Sequence, residues 1–208
     1  EGDENTGGGM FIEILIDALK KGRIKGYKAT IDDRFTTAMT KDEIMESVSG
    51  KTDSIPVEDP VTGNITIQVI KRDFDPNAIT KFRIKEDWIF DRNVGGMVVR
   101  IVGIAPVRDV IGDDGSFRGQ QAMFWLYYPN LRKILAEYEV FNPQNDLARY
   151  TWDEFFENRQ FSSKITKVSS TFVNDEGFKA HMNSMESLYE SQHTAEEIFN
   201  EEHDMWVY

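Results

Sequence analysis

Cysteine is absent from the 208 residues of this chain. Its absence excludes disulfides, thiolate zinc sites, cysteine nucleophiles and a lipidated cysteine as an anchor. A long apolar run is also missing, since no stretch approaches the roughly 18 residues of a membrane-spanning helix. We therefore expect no direct insertion into a membrane. The lack of cysteine fits a cytosolic or a periplasmic location equally well.

Positive charge is scarce. The chain has 24 lysines and arginines against 36 aspartates and glutamates, which gives a net charge of −12. A nucleic-acid backbone or an anionic lipid surface requires a basic face, so neither is expected as a partner. The charge is also unevenly distributed. Nine acidic residues and one lysine give residues 173–208 a charge of −8, which leaves −4 for the first 172 residues.

Motifs for metal or phosphate binding are few. Every histidine lies after residue 173, and none belongs to an HExxH pair; the three are His181, His193 and His203. The aspartates before Gly115 lack the spacing and the closing glutamate of a calcium loop, so we interpret them as a hairpin turn. The glycine pairs lack the context of a phosphate loop. The sequence therefore predicts no metal and no cofactor.

The sequence contains no recognisable set of nucleophile, general base and orienting group. Glu86 and Asp87 are neighbours on a predicted strand, so their side chains point to opposite faces and cannot share a proton. The chain is therefore predicted not to be an enzyme. The alternative is a periplasmic hydrolase using Glu86 and Asp91, or a module that binds carbohydrate or another small ligand on the faces of Trp88 and Trp125.

The composition that remains is that of an ordinary globular protein, 40% hydrophobic and 29% charged. Its periodicity predicts an α+β fold, with a small, mainly antiparallel sheet, packed helices and an acidic helical C-terminal tail. Helices are predicted at residues 11–21, 40–48, 129–138 and 151–159, with one helical turn after residue 75. Strands are predicted at residues 65–71, 81–91, 97–105, 122–128 and 163–169, with a loop at 53–63.

Three regions are predicted along the chain. Residues 1–10 form a polar linker that suggests a trimmed product of a longer chain, residues 11–172 form the α+β core domain, and residues 173–208 form the acidic tail. Two helices are predicted in the tail, the second starting at a capping box over residues 194–197. The apolar stripe of the first is expected to pack on its own domain or to dock on a neighbour, and both alternatives stay open.

The block at residues 81–106 is predicted to form a hairpin of two long strands. Trp88 and Phe90 would lie on its apolar face. Asp87, Asp91 and Arg100 would lie on the opposite face, where Arg100 is expected to form an ion pair with one of the two carboxylates.

Aromatic residues supply both the predicted core and the predicted interface. Trp88, Trp125 and Trp152 are expected to be largely buried, holding the sheet against the helix at 151–159. Strand 122–128 is apolar on both faces, so one face should be covered by the domain's own helices, and a neighbouring subunit is a candidate to cover the other. The candidate contact residues are Trp125, Tyr127, Tyr128, Arg118, Phe178, Met182, Met185, Leu188 and Tyr189.

Four motifs occur in a specific order: KEDWIFD, RIVGIAP, FWLYYP and RYTWDEFFENRQFSS. They lie within longer matching stretches at residues 22–40, 82–106 and 117–167. Through these stretches the chain resembles the GldN/PorN family of gliding-motility and type IX secretion proteins. The resemblance covers residues 11–170, whereas the acidic tail after residue 172 shows no motif that we assign to the family.

The resemblance implies a periplasmic protein of Gram-negative bacteria with no catalytic residues. The implied partners are an outer-membrane lipoprotein that supplies the membrane anchor, copies of the chain itself, and the periplasmic domain of an inner-membrane motor protein. The leading hypothesis is therefore a structural subunit of a ring in the type IX secretion and gliding machinery. Such a ring would repeat one heterologous contact between identical subunits.

Overall fold

The computed structural model describes residues 10–29, 34–49, 53–58, 65–70, 74–112, 115–141, 149–168 and 184–205. The chain is organised as two compact units. Unit 1 comprises Glu1–Glu86 and Ile101–Glu157, and unit 2 comprises Asp87–Arg100 and Asn158–Tyr208. The predicted domain boundaries after residues 10 and 172 stay predictions.

The described residues contain helices and antiparallel strands, which confirms the predicted α+β class. The helices are α1 Phe11–Lys20, α2 Lys41–Ser49, α3 Tyr128–Leu135, α4 Trp152–Glu157 and α5 Ser184–Met205, with a 3₁₀ turn at Pro76–Ala78. The strands are β1 Gly26–Lys28, β2 Asp53–Glu58, β3 Ile65–Ile70, β4 Lys81–Asp91, β5 Gly96–Ile111, β6 Phe117–Ala122, β7 Phe124–Tyr127, β8 Glu139–Val140 and β9 Tyr150–Thr151.

The main sheet has the order β1-β7-β5-β4, and β6 also pairs with β5. β5 pairs with three strands of this sheet: β4, β6 and β7. Ile104 pairs with Leu126 of β7, and Val107 pairs with Ala122 of β6. Only Met123 separates β6 from β7, and its N–H donates to the Pro106 carbonyl at 2.9 Å. The two strands therefore follow β5 as one bulged strand, and β5 runs six residues beyond the end predicted for it.

Helix α1 forms where the spacing of apolar residues predicts it. The Glu13 carboxylate accepts a hydrogen bond from the Met10 N–H at 2.8 Å, which satisfies one free donor at the helix start. After the helix, Gly22 adopts a φ of +71°, the left-handed conformation that ends many helices at glycine. The buried residues of α1 are Phe11, Ile12, Ile14, Leu15, Ile16, Ala18 and Leu19.

Two of the predicted capping boxes are present. Before α2, the Thr40 N–H donates to Glu43 Oε2 at 2.7 Å and the Glu43 N–H donates to Thr40 Oγ1 at 3.3 Å. Before α4, Thr151 and Glu154 exchange the same pair of bonds at 2.8 and 3.3 Å. Each box satisfies backbone donors that the first helical turn leaves free, which is why these short helices begin where the sequence predicts.

The prediction of a third capping box is wrong. Residues 194–197 lie inside α5, which is continuous over 22 residues from Ser184 to Met205. No glycine or proline interrupts this stretch, so nothing stops the preceding helix before Thr194. The described part of the tail is therefore one helix where two were predicted, and the predicted start at residue 178 lies outside the described residues.

Two strand predictions also require correction. Residues 53–58 form β2, where a loop was predicted, and pair with β3 in register from Asp53 opposite Ile70 to Glu58 opposite Ile65. Proline at position 56 is tolerated because each strand of a two-stranded sheet is an edge strand. Conversely, residues 162–168 have no regular structure where a strand was predicted. Alternating residues do not make a strand without a partner strand to pair with.

The turn after β5 lies partly outside the described residues, because Asp113 and Asp114 are not described. The Gly112 N–H donates to the Ser116 carbonyl at 2.8 Å, and Gly115 has a φ of +76°. β5 and β6 pair antiparallel on either side of these residues, as expected for a hairpin.

Aromatic rings connect α1 and α4 in the core of unit 1. The Phe11 ring lies 4.6 Å from the Trp152 ring, 5.0 Å from the Phe82 ring and 5.3 Å from the Phe156 ring, measured between centroids. Trp125 and Trp152 are buried, as predicted. The prediction that Trp88 is buried is wrong, because 43% of Trp88 is exposed. Trp88 lies on the hairpin segment that belongs to unit 2, outside the aromatic core of unit 1.

The second face of the main sheet is covered by the chain's own Phe35. This residue has a φ of 58°, which is uncommon for a side chain of its size. Its ring lies 6.0 Å from Trp125 and 5.6 Å from Tyr127, in edge-to-face geometry. A Cβ at Gly103 would overlap the Phe35 ring, so the glycine provides the space that Phe35 occupies. This face of the strand therefore does not require a neighbouring subunit to cover Trp125.

The prediction of an ion pair for Arg100 is wrong. Among the ion pairs of the described residues, none joins Arg100 to Asp87 or Asp91. Asp91 instead accepts a hydrogen bond from the Asn93 N–H at 2.8 Å in the hairpin turn, and Arg100 is exposed to solvent.

Candidate functional site

Helices α3 and α4 are joined by a clamp of charged and aromatic groups. Arg132 donates from Nε to Asp153 Oδ1 at 2.9 Å and from Nη2 to Oδ2 at 3.1 Å, and the Tyr128 hydroxyl donates to Oδ1 at 3.2 Å. Burial and the neighbouring Asp153 carboxylate raise the pKa of Tyr128. The phenol therefore stays protonated and acts as a donor, which assigns this cluster a structural role.

An open groove in unit 1 has a volume of about 320 Å³. Three of its charged groups have partners within the protein. Lys28 Nζ lies 2.9 Å from Glu43 Oε1, and Arg108 Nη1 donates to the Ser47 carbonyl at 3.3 Å. A small-molecule site needs convergent polar groups directed at the ligand, whereas Lys28, Glu43 and Arg108 are directed at other groups of the protein.

The described residues contain no group of three or more histidine, cysteine, aspartate or glutamate side chains placed to hold a metal ion. His193 Nδ1 lies 3.5 Å from Glu197 Oε1, and His203 Nδ1 lies 4.0 Å from Asp204 Oδ1, all on the surface of α5. His181 lies outside the described residues. Likewise, no described helix combines the length and apolar character needed to cross a membrane.

The alternative function requires a ligand site on the faces of Trp88 and Trp125, and one of these two rings is not accessible. Trp125 is buried under Phe35, so its ring presents no face to a sugar or another flat ligand. The Trp88 ring is partly exposed, but the Arg159 guanidinium lies 5.9 Å from its centroid and 5.3 Å from that of Phe161. This arrangement is a cation–π contact within unit 2.

The predicted interface residues of the sheet separate into two groups. Trp125 and Tyr128 are buried in unit 1, so they support the fold. Tyr127 and Arg118 are exposed. Trp125 and Tyr127 are two residues apart and lie on the same face of β7, where both rings contact Phe35, but Tyr127 is the last residue of the strand and stays 38% exposed.

Helix α5 has an apolar face directed at solvent. Four large side chains on this face are between 49% and 68% exposed: Met185, Leu188, Tyr189 and Phe199. With about 3.6 residues per turn, these positions lie on one side of the helix. Phe178 and Met182, which the sequence places on the same stripe, lie outside the described residues. We refer to the four exposed side chains as the apolar face of α5.

The opposite side of α5 is the buried side, and the residues that are fully buried there are polar. Ser187, Ser191 and Thr194 are between 5% and 7% exposed. Further along, Glu202 Oε1 accepts a hydrogen bond from the Met97 N–H of β5 at 2.9 Å. Sequence reasoning missed these four residues, because it considered only the apolar stripe of the tail as a contact surface. The spacing of three and four residues between Ser187, Ser191 and Thr194 was the signal, since small side chains allow a helix to approach its neighbour closely.

The sequence profile described as "Gliding motility associated protein GldN" matches residues 5–207. The match extends through the acidic tail, so the view that the tail lies outside the family resemblance is wrong. No curated protein matches the chain. Because the profile spans nearly all 208 residues, the resemblance carried by the four sequence motifs is confirmed. The chain belongs to the GldN family of gliding motility associated proteins.

Proposed function

We propose that the chain is a non-enzymatic structural subunit of the type IX secretion and gliding machinery. In this proposal it works in the periplasm and forms a ring with an outer-membrane lipoprotein and with copies of itself. The ring contacts the periplasmic domain of an inner-membrane motor protein. The observation that carries the proposal is family membership over residues 5–207.

Two features of the described residues support a structural role. Lys28 and Glu43 of the groove pair with each other, as do Arg132 and Asp153 of the α3–α4 clamp, so these charges are directed at the protein and not at a substrate. In addition, the apolar face of α5 is exposed, as expected of a surface that another protein covers. An assembly subunit requires such surfaces, whereas an enzyme requires a site where reactive groups converge.

Affinity purification of the tagged chain from its native periplasm, under mild detergent, tests the proposal. We expect the outer-membrane lipoprotein and the motor protein to co-purify, and electron microscopy to show closed rings. A tagged periplasmic protein unrelated to this family is the control for non-specific capture. Recovery of the chain alone, as a monomer, would contradict the proposal.

A separate assay addresses the non-enzymatic part of the proposal. The purified chain should not hydrolyse a panel of ester, glycoside and peptide substrates above the buffer rate. A measured turnover that disappears in Glu86→Gln would overturn this part, and it would leave the assembly experiment to decide the rest.

A further inference from the structure

Helix α5 buries a polar face and exposes an apolar face, which is the reverse of an ordinary surface helix. A surface helix normally buries its apolar stripe and exposes its polar side. In α5, Ser187, Ser191 and Thr194 are buried, while the apolar face remains in contact with water. Burial of that face would be favourable by the hydrophobic effect, yet the described part of the chain does not bury it.

The charge of α5 restricts what can cover this face. The helix carries seven acidic residues and no lysine or arginine. Gln192 and Glu196 lie on the same side of the helix as the apolar face, where Gln192 Nε2 donates to Glu196 Oε1 at 3.1 Å, and Glu186 lies at its edge; both glutamates are exposed. A covering surface must therefore combine apolar side chains with positive charge, because a neutral or acidic surface would leave this negative charge uncompensated.

Two other occupants are disfavoured by the same charge. The α5 helix of a second copy would bring seven further acidic residues against the first seven. A membrane with anionic headgroups would repel the helix for the same reason. We propose that the apolar face of α5 is a docking surface for a basic amphipathic segment of another polypeptide.

The length of the face indicates the length of the segment. From Met185 to Phe199 the face extends along roughly 21 Å of helix, at about 1.5 Å per residue. A partner helix of about four turns covers this distance. The docked segment would place leucine-like side chains over Leu188 and Phe199, and its lysine or arginine side chains beside Glu186 and Glu196. The inference rests on the proposed function only for the premise that the chain works among other proteins.

A synthetic peptide tests this surface without any native partner. The probe is an 18-residue amphipathic helix of leucine and lysine, and the matched peptide has glutamate at each lysine position. Fluorescence anisotropy measures binding of each labelled peptide to the full chain at 50 mM and 500 mM NaCl. We expect the lysine peptide to bind, to lose at least tenfold in affinity at high salt, and the glutamate peptide not to bind.

Variants locate the binding on α5. The double variant Leu188→Ser with Phe199→Ser keeps every charge, and it should weaken lysine-peptide binding at least tenfold. The pair Glu186→Gln with Glu196→Gln should weaken it several-fold and reduce the salt dependence. The matched control removes two acidic side chains from α2 through Asp42→Asn with Glu46→Gln, and binding should stay unchanged.

Several results would overturn the proposal. Lysine-peptide binding that is undetectable, or that is equal in the wild type and the serine variant, would exclude a specific apolar contact. Equal binding of the glutamate peptide would exclude charge complementarity. Self-association lost in the serine variant would assign the face to a second copy, and binding to phosphatidylcholine vesicles lost in the same variant would assign it to a membrane.

A fall in the thermal unfolding midpoint of the serine variant well beyond the small effect of serine in an exposed helix would show that the chain covers the face itself, which would also overturn the proposal. Each of these outcomes concerns purified chain and peptide. A failure of the docking proposal is therefore distinguishable from a failure of ring assembly, which is measured by co-purification and microscopy.

Discussion

Helices α1 in unit 1 and α5 in unit 2 are both amphipathic, yet they use their faces in opposite ways. α1 buries seven of its ten residues, all of them apolar. α5 buries serine and threonine and exposes methionine, leucine, tyrosine and phenylalanine. The difference shows that an apolar stripe does not by itself decide which face of a helix is buried within the chain.

The two units should also differ in how they respond to loss of a tryptophan, and this is the largest effect we expect. Trp152→Ala should lower the free energy of unfolding by about 3–5 kcal/mol, because it removes a buried ring that contacts Phe11, Phe155 and Phe156. Trp88→Ala should cost less, because Trp88 is 43% exposed. Urea denaturation followed by circular dichroism measures both. Equal losses for the two variants would contradict the assignment of Trp88 to the surface.

Overpacking of unit 1 at Gly103 should have the next largest effect. A methyl group there would overlap the Phe35 ring and would lie 3.2 Å from the Leu126 carbonyl oxygen. Gly103→Ala should therefore cost about 1–3 kcal/mol of stability, since the core has to shift to accommodate it. Gly95→Ala in unit 2 is the control for steric overlap, because no atom lies within 4 Å of the added Cβ. Its φ of +67° adds backbone strain to this variant. A loss at Gly103 no larger than at Gly95 would exclude close packing by Phe35 as the cause.

Acid should weaken unit 1 through Glu43. Hydrogen bonds from the Thr40 backbone, then from Lys28 and the Thr40 hydroxyl, lower the pKa of Glu43 to about 2. Because an unfolded glutamate has a pKa of about 4.3, ionised Glu43 stabilises the fold above about pH 5, and this contribution is lost as pH falls towards 2. Glu43→Gln should therefore destabilise the protein more at pH 6 than at pH 3 in thermal unfolding.

The control for the acid experiment is Glu46→Gln, which removes one charge from the same helix. A stability difference between wild type and Glu43→Gln that is the same at both pH values would contradict the assigned role of Glu43.

The smallest effect is expected on the apolar face of α5, where Leu188→Ser should change stability by no more than about 0.5 kcal/mol. Ser191→Leu, on the opposite and buried face, should cost about 1–3 kcal/mol although it adds apolar surface, because the larger side chain has to displace the groups that bury Ser191. If α5 instead packed through its apolar stripe, the order of the two effects would be reversed. Thermal unfolding of the two single variants distinguishes these orientations.

Much of the fold was predictable from local signals. The capping residues Thr40 and Thr151 mark the starts of two helices because their side chains satisfy backbone donors within the same turn. The spacing of apolar residues in α1 and the alternation in β3 predict those elements for the same local reason. The candidate site was less predictable, because the sequence identified the stripe on α5 and left its orientation open.

The sequence by itself determined the α+β class, the family, the starts of three helices and the charge of the tail, because each depends on neighbouring residues or on composition. Only the tertiary structure decided that Phe35 covers Trp125 above Gly103, that Trp88 is exposed, and that α5 buries serines and exposes its apolar face. These outcomes depend on contacts between residues distant in sequence. A periodic pattern defines the two faces of a helix, and the surface it packs against selects which face is buried.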